Sequence, residues 1–297
     1  PDGSRQWLIR IPDWDLNWQA VYHYRTPLFL PKGTIVSMRF HYDNSGANPR
    51  NPNSPPRRVV GGNQSTDEMG HLWLQVLPRG NGDRRMALEE AIARHRLEKY
   101  PADFSAHFNL GALLLSRKET GPAIEHLSAA LRVEPEQPAA LNTFGVALES
   151  AGRLSEAVAQ FRRALRVQPD YANARYNLAN ALAADGKLEE AAADFRRVLA
   201  ALPRDSVARD RLVAVLTELG NSAASEGRLK DAAASYRELV ALEPASADLR
   251  NNFGIIFARS GDIRAAIEQF EAALKADPSH RAARRNLEVA RRKLPHH

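Results

Sequence analysis

Three histidines, an adjacent acid pair and a recurring set of asparagines are the residues with chemistry to offer. His23, His41 and His71 could each hold a metal through a ring nitrogen. None of them stands at ligand spacing from another: His23 lies between Tyr22 and Tyr24, and His41 between Phe40 and Tyr42. Scattered histidines of this kind are more often hydrogen-bonded or surface residues. Asp67-Glu68 could act as an acid/base pair, yet neighbours on a strand point to opposite faces. The chain has no cysteine, so thiol and disulfide chemistry are absent. No catalytic residue is assigned on these grounds. The asparagines differ, because Asn109, Asn142, Asn177, Asn180, Asn251 and Asn252 return through the second part of the chain. A side-chain amide offers both donor and acceptor, so it can meet a peptide backbone in either sense. Phe108 and Tyr176 add aromatic surface beside them.

These asparagines are carried by a repeat. Ala123-Leu127-Ala130-Pro135 recurs as Ala157-Phe161-Ala164-Pro169 and Ala191-Phe195-Val198-Pro203. It returns as Ala232-Tyr236-Leu239-Pro244 and Ala266-Phe270-Ala273-Pro278. The closing prolines step by 34 residues, except for one step of 41 between Pro203 and Pro244. The front halves are Leu110-Gly111, Phe144-Gly145, Leu178-Ala179, Leu219-Gly220 and Phe253-Gly254. This spacing resembles the tetratricopeptide repeat, a helix–turn–helix unit of that length.

Packing accounts for the pattern. A small residue at the eighth position of a unit lets its first helix, A, approach its second, B. Ala at the twentieth position does the same from the other side, and a Leu or aromatic four residues later fills the gap. The proline ends helix B. No pair buries its apolar face alone, so the stack is the core. The expected layout is a linker and opening helix over 80–103, five units over 104–278, and a capping helix and tail over 279–297. Seven extra residues before Gly220 make about two turns, so helix A of the fourth unit can lengthen without changing face. The resemblance implies that the second, fifth, sixth, ninth and twelfth positions of helix A line a concave groove. There the asparagines, with Phe108 and Tyr176, either pair with a peptide segment or merely solvate the wall.

Residues 1–79 have another texture. All four tryptophans lie there, and alternation over 18–24, 35–43 and 70–77 predicts strands of a partial antiparallel β-sandwich. Trp14-Asp15-Leu16-Asn17-Trp18, Leu30-Pro31-Lys32-Gly33-Thr34 and Asp67-Glu68-Met69 resemble the second domain of copper type II, ascorbate-dependent monooxygenases, some bacterial relatives of which carry tetratricopeptide repeats. That resemblance implies a copper ligand at Met69, whose soft sulfur suits Cu(I). It also implies a His-X-His pair, which this chain lacks. Taken alone, Met69 reads as an apolar strand residue, and no cofactor is expected for the chain as given. Copper would belong to a longer protein.

The net charge of +6 is spread evenly: residues 1–82 hold nine Lys/Arg against six Asp/Glu, and the rest 32 against 29. Without a concentrated basic face, nucleic acid is disfavoured as a partner. No apolar run approaches the ~20 residues of a membrane span. A start at Pro1 reads as a processed or truncated chain. The compartment is not fixed by the sequence; the monooxygenase resemblance leans extracytoplasmic. The expected fold is therefore mainly α, a solenoid preceded by a partial β-sandwich. The expected function is a protein-interaction scaffold that binds a peptide in its groove. The alternative is a copper- and O₂-dependent monooxygenase whose catalytic part is missing from this chain.

Overall fold

The computed structural model describes residues 85–293, together with 28–30, 34, 36 and 47. The chain divides into two units, Pro1–Arg84 and Arg85–His297. The β-sandwich expected over 1–79 lies outside the described residues apart from those few positions. So do Met69, His23, His41, His71 and the Asp67-Glu68 pair.

The described part of the second unit is twelve helices, and no strand occurs among the described residues. The opening helix α1 is Arg85–Lys99. Five pairs follow: α2 (Phe104–Ser116) with α3 (Thr120–Val133), α4 (Pro138–Ser150) with α5 (Leu154–Val167), and α6 (Ala172–Ala184) with α7 (Leu188–Ala201). Then come α8 (Ser206–Ser225) with α9 (Leu229–Leu242), and α10 (Ala247–Ser260) with α11 (Ile263–Ala276). Helix α12 (Arg281–Arg292) closes the stack. The fourth unit takes its extra residues into α8, which is one helix of 20 residues where the other A helices have 13 or 14.

Local chemistry sets the ends. Asp103, Asp205, Ser246, Asp262 and His280 each accept a backbone N–H of their own first turn, occupying donors that the helix leaves open. Between A and B the chain reverses through a left-handed residue. It is Gly152, Gly186, Gly227 and Gly261 in the last four units, but Lys118 in the first, at φ 64°. Only glycine takes that conformation without a steric penalty.

The A–B contact is as tight as the spacing requires. A Cβ placed on Gly145 would stand 2.4 Å from the Phe161 ring, and one on Gly254 2.5 Å from that of Phe270. Gly111 meets Leu127 at 2.7 Å. Gly220 is looser, 3.0 Å from Tyr236. Phe161, Phe195, Phe270 and Leu127 are among the largest fully buried side chains. Helix α1 packs on α2 but leaves Met86 (44 %) and Ile92 (57 %) exposed.

Each B helix packs on its own A helix and on the next. The A helices also touch one another, α2 on α4, α4 on α6, α6 on α8 and α10 on α12. Neighbouring B helices are instead spanned by long ion pairs: Arg162 reaches Glu190 at 2.7 Å, and Arg196 grips Glu238 through two bonds at 2.8 and 2.7 Å. The A helices thus crowd together on the inner side of the solenoid, and the B helices form the outer layer.

Candidate functional site

The asparagines at the fifth, sixth and ninth positions of the A helices are not equivalent. Asn177 Nδ2 donates to Asn142 Oδ1 at 2.9 Å, from one unit to the preceding one. Asn286 on α12 repeats this across the same 35 residues, donating to Asn251 Oδ1 at 2.9 Å. Asn142 (9 % exposed) and Asn251 (6 %) are buried, which is where an amide requires partners. Asn251 Nδ2 in turn donates to Asn252 Oδ1 at 3.4 Å. Asn221 accepts from the Tyr236 hydroxyl at 2.6 Å, and burial pushes that phenol above its ordinary range. The structure therefore joins Asn142 to Asn177, and Asn251 to Asn252 and Asn286. Asn109 stands exposed on α2, apart from these groups, while Asn180 and Asn252 are half-buried.

Both aromatic residues are drawn into packing. Phe108 stacks on Phe104 with ring centres 5.8 Å apart and planes 4° from parallel. Tyr176 meets Phe195 edge-on at 5.8 Å. Each is half-buried, so one part of the ring serves the core and another part faces out.

Asn180 belongs to a separate feature, an open pocket of ≈ 510 Å³ where α4, α6 and α8 converge. Glu149, Arg211 and Glu218 line it with Asn180, over an apolar floor that includes Phe195 and Val215. Burial holds the Glu149 carboxyl above its usual range, and no neighbouring charge offsets the shift.

A second recurring group was not anticipated. The carbonyl of every closing proline accepts a side-chain hydrogen bond. Arg175 donates to Pro169, Arg209 to Pro203, Arg250 to Pro244 and Arg284 to Pro278, each from six residues later. His107 stands in the same relation to Pro101 at 2.9 Å. The second unit has Leu141 there, and Arg163 of α5 reaches Pro135 instead, at 3.0 Å. A basic residue six places after every closing proline except Pro135, and after Pro101, is the signal that could have revealed this. It assigns four arginines to joints between units and removes them from the ligand-binding inventory. Asp194 (7 % exposed) likewise holds Arg175 and Arg197, at 3.2 and 3.1 Å. Among the described residues no group of three His, Cys, Asp or Glu could hold a metal ion, and no helix is long and apolar enough to cross a membrane.

Comparison with known proteins agrees with this architecture. No curated protein matches the chain. Among solved structures, a tetratricopeptide-repeat protein of Bacteroides fragilis is 15% identical with a TM-score of 0.52, over 65% of this chain and 100% of its own. A chain of the Naa15/Naa10 complex bound to HypK-THB is 16% identical with a TM-score of 0.54, over 71% of this chain and 32% of its own. YrrB, a tetratricopeptide-repeat protein with an unusual peptide-binding site, is 22% identical with a TM-score of 0.46, over 68% of this chain and 98% of its own. At such identities the likeness is one of fold. The tetratricopeptide repeat model matches residues 80–140, 120–166, 142–206, 217–279 and 251–290, and none of these matches reaches the segment that resembles the monooxygenases. With well over half of its residues matched, the chain belongs to the tetratricopeptide repeat family.

Proposed function

We propose that this chain is a protein-interaction scaffold that takes an extended peptide segment along the inner face of its A helices. The observation that carries the reading is the pair Asn142–Asn177. Because Asn142 Oδ1 is already engaged, its Nδ2 is left as a donor, and Asn177, having spent a donor, keeps Oδ1 as an acceptor. Donor and acceptor side by side complement the C=O and N–H of a peptide unit. Asn109, Asn180 and Asn252 extend the same polar wall, with the outer parts of Phe108 and Tyr176 as apolar contacts. Asn251 has both ends engaged, so its part is to orient Asn252.

The test is a displayed library of random 12-residue peptides selected against the full chain. Selected peptides are expected to bind Asn109→Ala and Asn252→Ala more weakly, by about threefold to tenfold each. Peptides indifferent to every inner-face substitution would refute the reading. So would peptides lost instead on changing Val133 or Val167, which are exposed residues of the outer layer.

No cofactor enters this proposal. The resemblance puts a copper ligand at Met69, but one thioether without paired imidazoles makes a poor copper site. A Cu(I) competition titration is expected to read alike for the wild type and Met69→Ala.

A further inference from the structure

The pocket between α4, α6 and α8 brings together charged groups that no other described side chain pairs with. Glu149, Arg211 and Glu218 make no ion pair with one another or with any other described side chain, whereas the buried Asp194 and the half-buried Glu90 and Glu238 are each gripped by arginine. Glu149 is half-buried, and a carboxylate withdrawn from water gains from a cation brought to it. The lining carries two acids and one base, a net charge of −1, which one further positive charge cancels. The floor, with Ala183, Ala214 and Val215, suits an aliphatic stem. A long side chain with an apolar shaft and a charged tip satisfies both demands. The volume of ≈ 510 Å³ falls within the size of ordinary ligand pockets and is larger than a single water site.

We infer that this pocket is a specificity subsite for a lysine or arginine side chain of the bound peptide, its stem on the floor of Ala183, Ala214 and Val215 and its cation between Glu149 and Glu218. The inference rests on the groove reading above and adds to it the class of partner: a segment with a basic residue. Arg211 excludes a second cation beside the first, so one basic residue is read rather than a basic run.

The experiment uses the full chain and capped amino acids, which need no groove. Nα-acetyl-lysine methylamide, its arginine counterpart and its norleucine counterpart are titrated against amide NMR spectra. Saturable shifts are expected at residues around Glu149, Asn180 and Glu218 with the two cationic probes and not with norleucine. The apparent Kd is expected to weaken about tenfold in Glu149→Gln, with Glu218→Gln as the second variant. Equal shifts with norleucine, no shift with either cation, or unchanged affinity in both variants would overturn the subsite. Library peptides that bind the inner face but ignore both variants would defeat the subsite and leave the groove reading standing. Failure to select any inner-face peptide would defeat the groove reading, and the capped amino acids would still decide the pocket.

Discussion

Asn177 donates its amide to Asn142 at 2.9 Å across a boundary between repeat units, and the acceptor is a residue only 9 % exposed. Removing the donor leaves a buried oxygen without a partner. Asn177→Ala is therefore expected to lower stability by about 1–2 kcal/mol. Asn252→Ala gives up a 3.4 Å bond from Asn251 and a side-chain contact with the Tyr236 hydroxyl and is expected to cost under ~1 kcal/mol. Thermal melts of the two variants check this order. A binding study should rest on Asn109 or Asn252, because the loss in Asn177→Ala mixes recognition with stacking.

The glycines at the A–B crossings are expected to rank by the room beside them. Gly145→Ala would put a methyl 2.4 Å from a fully buried phenyl ring, and Gly220→Ala one 3.0 Å from Tyr236. Overpacking costs about 1–3 kcal/mol, while alanine regains about 1 kcal/mol of helix propensity. The net expectation is a clear loss at Gly145 and little change at Gly220. Equal shifts in denaturant midpoint would count against this account.

Lys118 occupies, with φ 64°, the turn position that is glycine in the other four units. Lys118→Gly is expected to raise stability by up to ~1 kcal/mol by relieving the left-handed conformation. The same change at Lys187, the residue directly after Gly186 in the equivalent turn of the third unit, where φ is −87°, offers no such relief and serves as control.

The first unit is expected to weaken in acid. His107 Nε2 faces the Pro101 carbonyl at 2.9 Å, which requires a proton on that nitrogen, so Nδ1 accepts from His126 Nδ1 at 3.0 Å. Burial first, then the charges of His107 and Arg94, hold His126 below its ordinary value of 6.5, with Glu125 opposing. The unfolded chain thus takes up the proton first. Stability is full above about pH 6.5 and falls as the pH drops through the folded value. Melts between pH 8 and pH 5 should show a larger decline for the wild type than for His126→Gln.

The helix pairs, the small residues at their crossings and the lengthened α8 were legible in the sequence, because each depends on a period within one unit. What escaped depends on the neighbouring unit. The approach of Asn142 to Asn177 is set by how two A helices stack, and the pocket by how three of them converge. Neither has a spacing rule within a single repeat. The proline-carbonyl bonds were legible in principle, as Pro169 and Arg175 or Pro244 and Arg250 stand six apart like the others. The left-handed turn was likewise marked by Gly152, Gly186, Gly227 and Gly261, with Lys118 as the exception. The strands expected in 1–79, and Met69 with them, lie outside the described residues.

The length of α8 bears on how such a chain can change over evolution. Seven residues advance a helix by about 700°, some 20° short of two full turns. Arg209 at the start of α8 still reaches back to Pro203, while Gly220 near its end still faces Tyr236. An insertion of four would leave one of these contacts about 40° out of line, and one of two would reverse it. Insertions in this solenoid therefore obey a reading frame, set by the helix and not by the codon. Lengths of seven, eleven or eighteen pass unnoticed by the joints at either end, and each adds fresh inner surface on which a new specificity can be written.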